Sequence, residues 1–215
     1  MSGPARRPLP NEVRIIGGQW KRSKLPVADA AGLRPTPDRV RETLFNWLGQ
    51  SLDGWRCIDA FAGSGALGFE AASRGAGEVV LIERERRLAA RLEEAKARLK
   101  AESVRVVNAD AITWMARGAA ASVDLVFIDP PFDADLAAPA LDAAARIVVP
   151  GGFVYLEAAS PLDAERLASA GRYELYRHAR AGAVHAHLLR RVVEARESDS
   201  YTAPLDNGGS AAEAP

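Results

Sequence analysis

From residue 55 onward, short apolar runs alternate with amphipathic stretches. Trp55–Phe61, Val79–Glu83, Val104–Val107, Val123–Ile128 and Phe153–Glu157 each have the length and apolar content of a buried strand. Helices are predicted between them. One follows the glycines through Ala72, and a charged one places Leu88, Leu92, Ala95 and Leu99 on its buried side. Others are predicted at about Ile112–Ala116, over Leu136–Ile147 and over Asp163–Ala170. Pro150-Gly151-Gly152 is a predicted turn into Phe153, and Tyr173–Arg177 and Val184–Val192 are two late strands around Gly182. The alternation calls for an α/β fold: an open, mostly parallel sheet with helices on both faces.

The first fifty residues follow another pattern. Residues 1–12 carry prolines and no periodicity, and are expected to be a disordered tail. Val13–Ile16 is a predicted strand stopped by Gly17-Gly18, and Gln19–Leu25 suits a second hairpin strand or a basic loop. Trp20 amid Lys21, Arg22 and Lys24 fits base stacking with phosphate contact, and equally a tryptophan packed beneath the hairpin with solvated lysines. In Arg34-Pro35-Thr36-Pro37, Thr36 fits a helix N-cap and Pro37 the first helical position. Val40, Leu44, Trp47 and Leu48 then form one apolar stripe, which leaves Arg39 and Arg41 expected to point elsewhere, toward phosphate. The predicted organisation is an extension at 13–52, a main domain at 53–193 and a disordered polar tail at 194–215.

The strand Val123–Ile128 ends in Asp129-Pro130-Pro131-Phe132. Each proline fixes φ and lacks an N–H, and each pushes the preceding residue out of the helical region. The chain there is extended and stiff. A carboxylate, outward carbonyls and a flat ring converge at a sheet's mouth, where they can hold a planar group bearing an exocyclic amine. A strand followed by a Pro-Pro turn whose Asp caps a helix is the plainer alternative.

Gly63-x-Gly65-x-x-Gly68 matches the dinucleotide fingerprint, and Glu83 follows at the spacing of an acid that meets ribose hydroxyls. An adenosine-containing cofactor is therefore expected. Asp59, ahead of the glycines, can organise the loop or meet a cationic amino-acid end, and would repel a pyrophosphate. Asp110, followed by Ala111, is placed to accept from an adenine amino group, or else to cap a helix. Both acids favour S-adenosylmethionine over NAD. His185 and His187 share a face, but no third ligand is evident and a strand surface accounts for them; His178 carries no signal, and no metal is expected. There is no Ser-His-Asp arrangement and no Gly-Lys-Ser/Thr phosphate loop.

Composition narrows the setting. At 48% hydrophobic residues the chain can bury a full core, no apolar run approaches the ~20 residues of a membrane span, and the start has no apolar signal region. The single Cys57 excludes an internal disulfide. A soluble, cytoplasmic monomer is expected. Formal net charge is zero, yet Arg6, Arg7, Arg14, Lys21, Arg22, Lys24, Arg34, Arg39 and Arg41 face only Glu12, Asp29 and Asp38 within residues 1–41. That asymmetry suits a basic arm meeting a polyanion.

Asp59-Ala-Phe-Ala-Gly-Ser-Gly-Ala-Leu-Gly68, Glu83, Asn108-Ala-Asp110 and Asp129-Pro-Pro-Phe132 resemble class I S-adenosylmethionine-dependent methyltransferases acting on exocyclic amines. Arg14-Ile-Ile-Gly-Gly-Gln-Trp20 and Leu33-Arg-Pro-Thr-Pro-Asp-Arg-Val-Arg-Glu-Thr-Leu-Phe-Asn-Trp47 narrow the resemblance to the RsmD family, bacterial enzymes that methylate N2 of one guanine in 16S ribosomal RNA. The likeness covers about residues 13–192. It implies a Rossmann-like, seven-stranded sheet with a terminal antiparallel strand, and a substrate presented in the assembling small subunit. It implies that Asp59, Gly63, Gly65 and Glu83 bind the cofactor, with Asp110 and Ala111 near its adenine. Asp129 and Pro130 would hold the amine while Phe132, where the motif can carry Tyr, stacks on the base. Arg14, Lys21, Arg22, Lys24, Arg34, Arg39 and Arg41 would meet RNA phosphates.

Rival readings are adenine-N6 methylation of DNA or RNA, since Asp-Pro-Pro-aromatic serves either amine, and protein glutamine methylation, against which the basic segment argues. From other classes come an NAD-dependent oxidoreductase, on the glycines alone, and a non-catalytic RNA-binding protein.

Overall fold

In a computed structural model, residues 12–27, 38–131, 135–163, 165, 167 and 171–192 are described. In chain order the elements are β1 (Glu12–Arg14), β2 (Lys24–Pro26), α1 (Asp38–Leu48), β3 (Arg56–Asp59), α2 (Ala66–Ser73), β4 (Glu78–Glu83) and α3 (Arg86–Leu99). Then follow β5 (Val104–Asn108), α4 (Ala111–Arg117), β6 (Val123–Ile128), α5 (Ala137–Ile147), β7 (Val148–Ala158), β8 (Tyr173–Ala181) and β9 (Val184–Arg191). Each predicted strand from residue 55 onward is present. Of the helix expected over Asp163–Ala170, Asp163 is described and not helical, Glu165 and Leu167 are helical, and the rest lies outside the described residues, as do Thr36, Pro37, residues 1–11 and 194–215; Glu12, expected in the tail, is instead the first residue of β1.

β3 to β9 form one sheet ordered β5-β4-β3-β6-β7-β9-β8. β5, β4, β3, β6 and β7 are mutually parallel, and β9 runs antiparallel to both its neighbours. Side chains alternate between two cores, as the two-residue period of a strand requires. Cys57, Leu81, Leu125, Phe127 and Tyr155 join Phe45 and Phe69 on one face. Ile58, Ile82, Val126, Ile128 and Leu156 join Met115 and Ala144 on the other. β7 starts earlier than its sequence suggests: Val148 already pairs with Val123, and the expected turn at Pro150–Gly152 is a register irregularity within the strand. Gly151, with φ 80°, lets the strand absorb the extra residues. Cys57 is buried, and its thiol is pushed up by burial, so it is no nucleophile at neutral pH.

The N-terminal hairpin is fastened to α2 by one carboxylate. Fully buried Glu70 accepts from Ile16 N (2.8 Å) and Gly17 N (2.7 Å). It also faces Arg74 Nε at 2.9 Å and Arg41 Nη1 at 3.5 Å. Ser73 Oγ accepts from Trp20 N and donates to Gly17 O. Trp20 packs partly buried against the core, as the plainer of its two readings had it.

Arg41 requires a correction. Expected to meet phosphate, it is wholly buried, and its Nη2 donates to Arg14 O (2.8 Å) and Asp38 Oδ1 (2.7 Å). The helical stripe is wider than its apolar letters, because α1 buries Arg41 and Phe45 beside Val40, Leu44 and Leu48. Arg41 is thus a pillar between α1, β1 and α2.

Truncating Glu70 would take the shared carboxylate from two arginines and leave two backbone N–H groups without their acceptor. Removing one partner of a buried ion pair costs about 3–5 kcal/mol. Urea denaturation of Glu70→Ala should show a loss of that order, and a loss below about 1 kcal/mol would show the network to be dispensable.

Candidate active site

The strand order reverses between β3 and β6: the chain moves outward to β4 and β5, then returns to the other side of β3. Ligands of open α/β sheets bind outside the carboxyl ends of the strands at such a switch point. Here each parallel strand finishes at or near an acid. Asp59 ends β3, Glu83 ends β4, Asp110 lies two residues after β5, Asp129 follows β6 and Glu157 is the penultimate residue of β7.

The glycine loop is held from both sides. Asp59 Oδ2 accepts from Gly68 N at 2.9 Å, and Glu83 Oε2 accepts from Gly63 N at 3.0 Å. Glu83 Oε1 also accepts from Glu85 N at 2.7 Å. Each carboxylate oxygen has a second lone pair, so Glu83 can hold the loop and still accept from a ribose. Two glycines are required by packing. Gly65 caps α2 with φ 76°, and a Cβ there would lie 2.6 Å from Phe69. At Gly68 a Cβ would lie 2.1 Å from Leu81. The fingerprint therefore fits helix against sheet. The open end of the hairpin meets this loop too, since Pro26, paired with Glu12, lines a shallow cleft with Gly63, Ser64 and Arg91.

Asp59 is 2% exposed, and burial pushes its carboxyl up to about 7, against the opposing pull of the Gly68 N–H and with a further push from Glu83. Asp110 takes the plainer of its two predicted roles, as the N-cap of α4, accepting from Thr113 N at 2.8 Å. That N–H, then the Thr113 hydroxyl, holds its carboxyl below the usual range. Asp110 is exposed, and Ala111 is the buried first residue of the helix. Asn108 is a site-shaping residue that the sequence reading left without a role. Its Nδ2 donates to Glu83 O and Arg84 O, tying the ends of β4 and β5 together.

β6 delivers Asp129 to the same edge. Phe127 is the register partner of Asp59 and its carbonyl accepts from Ala60 N at 3.0 Å, so the Asp-Pro-Pro segment emerges beside the start of the glycine loop. Asp129 is half-buried and Pro130 buried; Phe132 lies outside the described residues. Beneath them is a pair the sequence reading missed. Tyr155 Oη donates to Glu157 Oε1 at 2.8 Å, both residues are buried, and Ile128 pairs with Leu156 between them. Burial first, then the charges of Glu157 and Asp129, holds the Tyr155 phenol protonated well above its ordinary range. The signal available was Glu157 itself, an acid at a strand's end like the other four.

Of the expected phosphate contacts, Arg14, Lys21, Arg22, Lys24 and Arg39 are exposed. Lys24 Nζ meets Glu12 at 2.7 Å on the surface. Arg34 lies outside the described residues.

An acid-rimmed edge suits a cationic ligand and opposes a pyrophosphate, so the residues present fit S-adenosylmethionine better than a dinucleotide. The sheet order, its single reversed strand and this edge place the chain in the class I methyltransferase fold. Comparison with known proteins carries that further. The chain belongs to the family described as Conserved hypothetical protein 95, which matches residues 13–190 and is the RsmD family that the sequence resembles. It is 42% identical over 193 residues to the Ribosomal RNA small subunit methyltransferase D of Escherichia coli K12, covering 88% of this chain and 94% of that protein. The protein of the same name from Haemophilus influenzae is 42% identical over 151 residues, 68% of this chain and 78% of that one. The solved structure of Escherichia coli yhhF matches with a TM-score of 0.73 at 38% identity, covering 84% of this chain and 98% of that one. Among the described residues, no helix is long and apolar enough to cross a membrane.

Asp59 yields a pH prediction. Its folded pKa lies above the ordinary carboxylate value, so the native state holds its proton more tightly than the unfolded chain. The stabilisation is complete below about pH 4 and is lost as pH rises toward about 7. Asp59→Asn keeps an oxygen for Gly68 N and removes the titration. Melting temperature followed across this window should fall more steeply in the wild type than in the variant; parallel curves would mean that Asp59 ionises without strain.

Proposed function

We propose that this protein transfers a methyl group from S-adenosylmethionine to the exocyclic N2 of one guanine in 16S ribosomal RNA, within the assembling small subunit. The observation that carries the reading is the emergence of Asp129-Pro130 beside a glycine loop braced by Asp59 and Glu83. The names of the two relatives support ribosomal RNA of the small subunit as the substrate class.

S-adenosylmethionine supplies an electrophilic methyl on a sulfonium, so the protein's task is to aim the amine at it. Asp59, Gly63, Gly65 and Glu83 hold the donor, with Asp110 and Ala111 beside its adenine. The guanine N2 lone pair is delocalised into the ring. The Asp129 carboxylate and the Pro130 carbonyl accept from its two hydrogens, which favours a pyramidal nitrogen and stabilises the positive charge that develops there. Asp129 need not be a strong base, because the methylated amine is acidic and releases its proton readily. Phe132 stacks on the base after it has left its own stack. Arg14, Lys21, Arg22, Lys24, Arg34 and Arg39 give phosphate contacts that position the RNA without reading its sequence. Arg41, being buried, drops out of that set.

Asp129→Ala should leave binding of the methyl donor near the wild-type value in calorimetry. Transfer to small subunits from a strain lacking the gene should fall by about a hundredfold or more. Equal loss of both would make the carboxylate structural. In the same assay the wild type should yield N2-methylguanosine by nucleoside mass spectrometry, whereas N6-methyladenosine would replace this reading with its nearest rival. Neutralising Lys21 and Arg22 together should reduce the salt dependence of RNA binding, and an unchanged slope would remove both from the interface.

A further inference from the structure

The chain contains three histidines, and the fold brings all of them together on the β8–β9 hairpin. His178 of β8 is the register partner of His187 of β9, and His185 lies two residues along the same face. The three rings stack, with centroids 4.7 Å apart for His178 and His187 and 5.2 Å apart for His178 and His185. His178 Nε2 lies 3.0 Å from His185 Nδ1. One ring nitrogen from each residue lies within 4.8 Å of the other two. The third ring that the sequence lacked is His178, supplied by pairing across the hairpin.

His187 is oriented as a ligand is oriented. Its Nδ1 lies 3.3 Å from Leu156 O, where it can only donate, and that makes Nε2 the ring's acceptor, whose lone pair takes Leu162 N at 3.1 Å. A backbone carbonyl on the far ring nitrogen is the usual outer support of a metal-bound imidazole. The other two nitrogens, at 3.0 Å, share one proton if they hydrogen-bond; an ion about 2.0–2.1 Å from each would use both lone pairs.

We propose that His178, His185 and His187 form a site for a divalent cation of the zinc, cobalt or nickel class, in which the ion takes the place of the Leu162 N–H on His187. Three neutral imidazoles suit such ions and offer little to magnesium or calcium. The site is separate from methyl transfer. His187 pairs with Leu156, which belongs to the core on one face of the sheet, whereas Tyr155 belongs to the core on the other. Through Leu162 it is coupled to the segment that follows β7.

The test uses the untagged full chain, stripped with chelator and freed of it, so that no other histidine contributes. Cobalt(II) followed by visible absorption should bind one ion per chain and be displaced by zinc(II). One equivalent of zinc should shift the ring-proton NMR signals of all three imidazoles and raise the melting temperature. His178 is exposed, so His178→Asn should melt like the wild type without metal and lose the zinc-induced rise, with affinity reduced at least tenfold. Ring signals unmoved by one equivalent of zinc would overturn the site, as would zinc binding equally tightly to His178→Asn.

Discussion

Two carboxylates turned toward backbone, with a lone pair to spare, hold the working edge of this protein in shape. Asp59 and Glu83 leave adjacent parallel strands and grip opposite ends of the glycine loop, at Gly68 N and Gly63 N. Neither bond is strong by itself, since a hydrogen bond to a charged group contributes about 1.5–3 kcal/mol. Their combined effect is geometric: the loop is braced at both ends between β3 and α2 before any ligand arrives. Asp59 is the costlier of the two, because it is an acid sealed from water. A cation brought to this edge would favour the ionised form that burial opposes.

The N-terminal hairpin depends on that loop at one remove. Glu70, one turn into the helix that the loop begins, takes two backbone N–H groups from the hairpin, Arg41 from α1 and Arg74 from the end of its own helix. The basic residues Lys21 and Arg22 are therefore carried on a segment bolted to the helix that the glycine loop begins. A polyanion held by them is held in a set relation to Asp129. Charge is divided along the chain: the strand ends are acidic and the extension is basic.

The order of strands and helices was legible because each apolar run is bounded by turn residues and each helix keeps its stripe. The strand-end acids could be placed for the same reason. What the letters hid was chiefly pairing at long range. Arg41 reads as a solvent-facing base on an amphipathic helix, and the approach of Arg14 O and Glu70, added to its local partner Asp38, makes a buried position tolerable for it. Asp110 was readable as either cap or adenine partner, and the cap follows from the start of α4 immediately after it. His178 has no meaning until β8 pairs with β9. Tyr155 and Glu157 look like strand residues until the parallel register sets them beside Asp129. Glycines at 65 and 68 were read as room for a ligand, and they prove to be room for Phe69 and Leu81 too.

The central claim is that sulfur and amine meet across the carboxyl ends of β3 and β6. A crystal structure with S-adenosylhomocysteine measures this most directly. The account predicts a ribose at Glu83 and a sulfur facing the Asp129 carboxylate across a gap that admits one methyl and one amine. A sulfur turned away from Asp129, or a ligand seated off the Gly63–Gly68 loop, would contradict it.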